Sequence, residues 1–316
     1  MENSYILCTD KSFGKQQYRS DAKGLSFCYN HFDSQDKNII MSDGALMDII
    51  KLWERYMYTG DVLFLSQYYP KAEKLMETIL SGLNGCGYIE SVPRDLIFED
   101  KSDMEKEGAL GYKQVLLLKA MEAMSDLCKS LQKADKYLEP AKAFKKQFIF
   151  DYWDGIHGFR HCEHEYYPTK YANIFAILLD VVSASAAKQL IDISLKKTNI
   201  AQISIRDMKF FEACALHKCG NGRADFTGLD EMQIYYILEK YYVGLKPICA
   251  GFKEFEICPD LNNYESIEGK THTSYGFIEY YLSCKKINVR CPKGTKGTLT
   301  TGKDKFEFEE SIEIKL

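Results

Sequence analysis

The sequence predicts a mainly α fold of helical hairpins followed by a small antiparallel β-sandwich. Three observations carry this reading. The stretch 53–70, WERYMYTGDVLFLSQYYP, reads as two helices joined by one sharp corner. Apolar residues at helical spacing recur as further pairs up to about residue 246. At Pro247 the texture changes to short alternating runs punctuated by glycine. The division this implies is a helical-hairpin domain over 1–246 and a β-sandwich domain over 247–316.

Residues 18–32 offer apolar positions at Ala22, Leu25, Phe27, Cys28 and Phe32 and are read as a helix, closed by the polar run 34–38. In the hairpin, Leu46, Ile49, Ile50, Trp53, Tyr56 and Met57 form one stripe, and Leu65, Tyr68, Tyr69, Ala72, Leu75, Met76 and Ile79 form the next. Gly60 suits a left-handed helix end and Asp61 an N-cap. The turn signal Asn84-Gly85-Cys86-Gly87 closes the pair. An irregular, acidic stretch covers 88–106, and a loop of that length is more often functional than decorative. A long helix follows over 107–133 with a partner over 135–150, and a second irregular stretch over 153–167. Helices over 171–182, 186–195, 205–219 and 229–243 complete roughly nine, with no strand–helix alternation before residue 250. In the tail, Phe306-Glu307-Phe308 and Ile312-Glu313-Ile314 alternate apolar with acidic residues, as half-buried strands do.

The bulk composition narrows the function. A formal net charge of -4 leaves no basic surplus for a nucleic-acid partner. No apolar run approaches the roughly 18 residues of a membrane span, and the N-terminus lacks an apolar core behind a basic start, so neither membrane nor secretory leader is expected. Eleven scattered cysteines without a CxxC pair read as reduced, buried thiols of a cytoplasmic protein. Aromatics make up 13% of residues. They serve either as sugar-stacking platforms or simply as the filling of a large helical core.

Two clusters have metal-binding residue types. His157, His161, His164 and Glu165 carry imidazole and carboxylate, but HxxHE lacks the i, i+4 histidine pair of a zincin helix, and Pro168 argues for loop. Cys214, His217 and Cys219 share one helical stretch without a second ligand pair. Packing is the better account of both; no metal and no cofactor are expected.

Several motifs resemble the bacterial α-L-rhamnosidases of glycoside hydrolase family 78. The hairpin WERYMYTGDVLFLSQYYPKAEKLMETIL is similar to their W-x-Y-Y-x-Y-T-G-D-x-x-F-L-x-x-x-Y-P, and GFKEFEICPDLNNYESIEGKTHTSYGFIEYYL to the segment entering their sandwich. VGLKP resembles the end of their last barrel helix, and the similarity runs with gaps from about Cys8 onward. The resemblance implies an (α/α)6-type helical toroid followed by a β-sandwich, an inverting mechanism and a terminal α-L-rhamnoside as carbohydrate ligand. Fewer helices than six hairpins need would leave the toroid incomplete, its apolar seam covered by a partner, by a homo-oligomer or by the β tail.

The chemistry the resemblance implies is only partly present. Inverting glycosidases hold two carboxyl groups roughly 6.5–9.5 Å apart, one acid and one base. The family's acid is a Glu seven residues before an Asp, with an aromatic between. CTDKSFGKQQYRSD supplies Tyr18 and Asp21, but the acid's position falls on Gly14. Asp10 is the candidate substitute. The base-bearing segment is absent from GNGRADFTG, and Gly228 falls where a His follows the base; Asp230 and Glu231 read as helix caps. FEDK resembles the family's F-I-D-W, which makes Phe98 and Asp100 candidate sugar contacts, and Glu107 sits near a family Glu that opens the next helix. A solvated acidic loop is the plainer reading of both acids. The expectation is a rhamnosidase-like scaffold with impaired or lost catalysis, against a pseudoenzyme that binds carbohydrate or a protein, and against a working glycosidase.

Overall fold

A computed structural model describes residues 42–91, 106–163, 169–200, 202–203, 206–220, 226–261 and 264–315, and the backbone alone of 4–10, 14–20 and 206–207. Two strands open the chain, β1 (Ser4–Asp10) and β2 (Gly14–Ser20). Helices follow: α1 (Ser42–Thr59), α2 (Val62–Ser81), α3 (Gly111–Ser130), α4 (Leu138–Tyr152), α5 (Lys170–Leu178), α6 (Ala184–Leu190) and α7 (Arg206–Lys218). α8 (Glu231–Ile237) runs into a π-helical turn, Leu238–Val243. The remaining strands are β3 (Leu245–Pro247), β4 (Glu254–Ile257), β5 (Tyr264–Thr273), β6 (Gly276–Ser283), β7 (Lys286–Arg290), β8 (Lys296–Thr301), β9 (Asp304–Phe308) and β10 (Ser311–Lys315). The chain divides into two compact units. One comprises Phe27–Trp53 and Val62–Asn221, the other Met1–Ser26, Glu54–Asp61 and Gly222–Leu316.

The helical unit is ordered around α3. From Tyr112 to Leu118 every residue of α3 is buried, including Lys113 and Gln114, so this helix is covered on all sides. It packs against α2, α4 and α5, and α5 in turn against α7. α5 is apolar apart from Lys170 and Asn173 and is buried through Ile177. Stacked rings fill the space beside α4: Phe148 lies 4.8 Å from Tyr152 and 5.0 Å from Phe159.

The strand unit holds two sheets. Six strands in the order β10-β7-β6-β5-β1-β2 are antiparallel throughout; four form the order β3-β4-β8-β9. β5 and β6 alternate buried and exposed residues, with Ile267, Ile278, Tyr280 and Leu282 inward. In the second sheet Gly297 lets Phe255 and Phe308 meet edge to face at 6.0 Å; a Cβ there would stand 2.3 Å from the Phe308 ring. The α1–α2 corner is turned by Gly60 at φ 65, with its N–H donating to the Tyr56 carbonyl.

Three expectations are corrected. The helices form no toroid of hairpins among the described residues, and the N-terminal segment pairs as β1 and β2 beside β5. Residues 18–20 are strand, not the start of a helix: Tyr18 pairs with Ile6. The second sheet is mixed, since β4 and β8 run parallel, Glu254 opposite Lys296. Local alternation reports a strand but not its partner's direction.

One buried carboxyl links helix to sheet in the strand unit. Tyr235 and Thr271 both donate to Glu239 Oε1, at 2.7 Å each, and Glu239 is 5% exposed. Burial raises its pKa above the ordinary 4.5, outweighing these hydrogen bonds and Lys240. A raised acid favours the protonated form in the fold. Its stabilisation is therefore full below the unfolded-state pKa and lost as pH rises through the folded one. Glu239→Gln should flatten that part of the stability-versus-pH curve and stabilise the protein at neutral pH; urea denaturation at a series of pH values checks this.

Candidate functional site

The N-terminal ends of α1, α3 and α5 come together in the helical unit. Lys113 Nζ donates to Ser42 Oγ at 2.9 Å, and the Tyr112 hydroxyl to Asp43 Oδ2 at 3.0 Å. Tyr112 also lies 6.0 Å from the Tyr171 ring at the start of α5. Asp43 and Lys113 are both fully buried, and charges so placed persist only when hydrogen-bonded. Beside them Lys170 Nζ reaches Glu212 Oε1 at 2.7 Å and Gln202 Oε1 at 2.9 Å. Two buried hydroxyls, Ser91 Oγ and Thr169 Oγ1, have no hydrogen-bond partner among the described residues, and both border this end of the unit. Such atoms are unused capacity for a polar ligand or for water.

Both irregular stretches are clasped onto the first turn of α3. Gln114 Oε1 accepts from the Ile89 N–H at 3.0 Å, and its Nε2 donates to the Ile89 carbonyl at 2.9 Å. Ser91 and Gly108 exchange both backbone hydrogen bonds. The Tyr152 hydroxyl donates to the Ala109 carbonyl at 2.7 Å, and the Gly111 N–H to the His161 carbonyl at 2.7 Å. Ser91 and Gly108, on either side of residues 92–105, are thus joined in a narrow neck. Tyr88 donates to Asp151, and burial first, then this acceptor, drives its hydroxyl pKa far up.

In the second stretch Asp154 accepts from the Ile156 and His157 N–H groups and lies 3.0 Å from the His157 ring nitrogen Nδ1. Burial would raise this carboxyl, but those hydrogen bonds win and hold it below the usual range. Asn173 Oδ1 receives the Phe159 N–H, fixing the stretch to α5.

The candidate residues distribute unevenly. Asp10, at the end of β1, is the register partner of Gly14 at the start of β2, so the proposed substitute stands directly across the strand pair from the position it would replace. Tyr18 lies further along β2, opposite Ile6. Asp21, Phe98 and Asp100 lie outside the described residues. Glu107 is exposed and sits in the neck beside Gly108, not in a helix, since α3 begins at Gly111. Asp230 is the N-cap of α8 in a reciprocal capping box with Gln233. Of the histidine cluster, His157 is exposed and His161 buried, while His164 and Glu165 lie outside the described residues. Cys214, His217 and Cys219 are buried, and burial lowers His217 to about 4, leaving it neutral.

Asp43, Tyr112, Lys113 and Gln114 were not singled out from sequence. Their signal was a charged or amide residue inside an apolar run, as in ALGYKQVLLL.

Removing the Gln114 carboxamide strands the buried N–H and C=O of Ile89. Gln114→Leu should cost about 2–4 kcal/mol in urea unfolding and speed hydrogen exchange at the Ile89 amide, and Gln114→Glu, which sets a buried carboxylate against the Ile89 and Leu110 carbonyls, should cost at least as much at neutral pH.

No family model matches the sequence, and no curated protein matches it closely. Solved structures do match. A GH78 family rhamnosidase of Bacillus sp. GL1 aligns at TM-score 0.65 and 17% identity over 83% of this chain and 34% of its own. The α-L-rhamnosidase of Aspergillus terreus aligns at 0.64 and 16%, over 86% and 38%. That of Streptomyces avermitilis, complexed with L-rhamnose, aligns at 0.60 and 12%, over 86% and 33%. This chain therefore spans little more than a third of the length of these proteins. Over that span it shares the fold of α-L-rhamnosidases, and at these identities the likeness concerns the fold.

Proposed function

We propose that this chain is a shortened, divergent member of the α-L-rhamnosidase family that binds a terminal α-L-rhamnose or a closely related sugar, with hydrolysis impaired or lost. The observation that carries the binding half is the clasp on α3. It fixes both ends of the stretch that bears Phe98 and Asp100, next to the buried hydroxyls Ser91 Oγ and Thr169 Oγ1. A carboxylate at Asp100 would accept from two sugar hydroxyls while the Phe98 ring covers an apolar face of the sugar, the combination by which pyranoses are held. Glu107, in the neck, is a further acceptor.

The catalytic half rests on Gly14. An inverting hydrolysis needs one carboxyl to protonate the leaving oxygen and another to activate water. Gly14 has no proton to give, and Asp230, beside the shortened base segment, is occupied as a helix cap. Residual turnover would have to pass through Asp10, across the strand pair from Gly14, with Asp21 as the second carboxyl. The alternative pseudoenzyme reading replaces the sugar by a protein partner.

Two measurements on the folded protein decide among these. Titration calorimetry with L-rhamnose should show binding that Asp100→Asn weakens about tenfold or more, as loss of a charged hydrogen bond does. Release of rhamnose from para-nitrophenyl α-L-rhamnoside should be absent. Binding that is undetectable would leave the protein-partner reading, and turnover abolished by both Asp10→Asn and Asp21→Asn would restore the enzyme.

A further inference from the structure

The six-stranded sheet ends on β10, whose outer side pairs with no strand among the described residues. Such an edge is a row of backbone donors and acceptors ready to take another strand. Cys291, next after β7, donates its N–H to the carbonyl of Glu310, next before β10, at 2.8 Å. Hydrogen-bonded pairs alternate along antiparallel strands, so Ile312 and Ile314 turn their backbone groups to β7, and Glu313 and Lys315 turn theirs outward. The side chains alternate too. Ile312 and Ile314 are half-exposed beside the buried Val289 and Ile287, while Glu313 and Lys315 are exposed on the opposite face.

The charges select the strand that fits. Lys315 stands directly opposite Lys286, whose ion pair is with Glu313 at 3.1 Å, so Lys315 itself has no ion pair among the described residues. Like charges opposed in this way weaken a sheet. A second β10, running antiparallel and centred on Ile314, sets Glu313 of each copy opposite Lys315 of the other. Those are the residues whose backbone groups face outward. One register therefore pairs the charges and the backbones together, and it covers Ile314 with Ile314. Centring on Glu313 instead would oppose two carboxylates. The remaining edges fit less well. β2 lies against α8, and β3 has three residues and includes Pro247. On β9, Lys305 and Glu307 face Thr300 and Thr298, with no like charge to relieve.

We propose that two copies of this chain associate through β10, joining their six-stranded sheets across a two-fold axis. Nothing in this depends on sugar binding. The contact is one strand of 7 residues or fewer from each copy, Ser311–Lys315, so the dimer is weak and concentration-dependent. Sedimentation velocity of the whole chain over a range of concentrations tests it, and a monomer–dimer equilibrium is expected. Glu313→Lys and Lys315→Glu each oppose like charges at both symmetric positions, and each should weaken association about tenfold or more. Mixed together, the two variants regain both ion pairs, so they should form a heterodimer although neither pairs well with itself. Lys305→Glu, on β9, should leave association unchanged. All three side chains are exposed, so circular dichroism and melting should not change. A chain that stays monomeric at high concentration, association indifferent to the β10 reversals, or variants that do not combine when mixed overturns the proposal. Loss of association with Lys305→Glu also overturns it, since the contact would then lie on β9.

Discussion

The carboxamide of Gln114 meets the peptide group of Ile89 with a donor and an acceptor in register, as a second peptide would. Both partners are buried, so water cannot replace either hydrogen bond, and each group left unpaired would carry its full desolvation cost. Everything around the first turn of α3 depends on this match. It sets the neck formed by Ser91 and Gly108, which Tyr152 secures through the Ala109 carbonyl, and it leaves Gly111 free to receive the second irregular stretch at His161. A bulkier residue at Gly111 would collide with the Arg160 carbonyl, 2.5 Å from where a Cβ would stand.

The strand unit obeys a different constraint. β5 is flanked on one side by β6 and on the other by β1, so a sheet begun at the C-terminal end of the chain is completed by its first residues. This pairing places Asp10 across from Gly14. The two positions are four apart in sequence, and only the hairpin register makes them neighbours. The buried Glu239 belongs to the same unit and sits within a π-helical turn, accepting from Tyr235 one turn before it and from Thr271 of β5.

The fold likeness to rhamnosidases and the chemistry proposed for this chain rest on different kinds of residue. The fold is carried by apolar stripes that tolerate substitution of one hydrophobe for another, so it persists at 17% identity. Inverting hydrolysis depends on two carboxyls within a narrow separation, and such a pair can change without disturbing any core. Sugar binding stands between these extremes, since it needs several polar groups but tolerates the loss of one.

The amphipathic stripes of α1, α2 and α4, the Gly60 corner, the Asp230 cap and the alternation of β6 were legible in the sequence, because each is fixed by contacts within a few residues. The N-terminal strands were not, since GKQQYRS has no apolar alternation and becomes strand only by pairing with β1, which itself needs β5. The parallel pairing of β4 with β8 was equally hidden. Lys113 and Gln114 are polar residues in an apolar helix, and their partners Ser42 and Ile89 lie far away along the chain. The sequence by itself determined which faces of the helices and strands are apolar and where turns fall, through local sterics and hydrophobic periodicity. The tertiary structure alone decided which strands pair and which buried polar groups meet, because those depend on hydrogen bonds between segments whose separation along the chain carries no local signal.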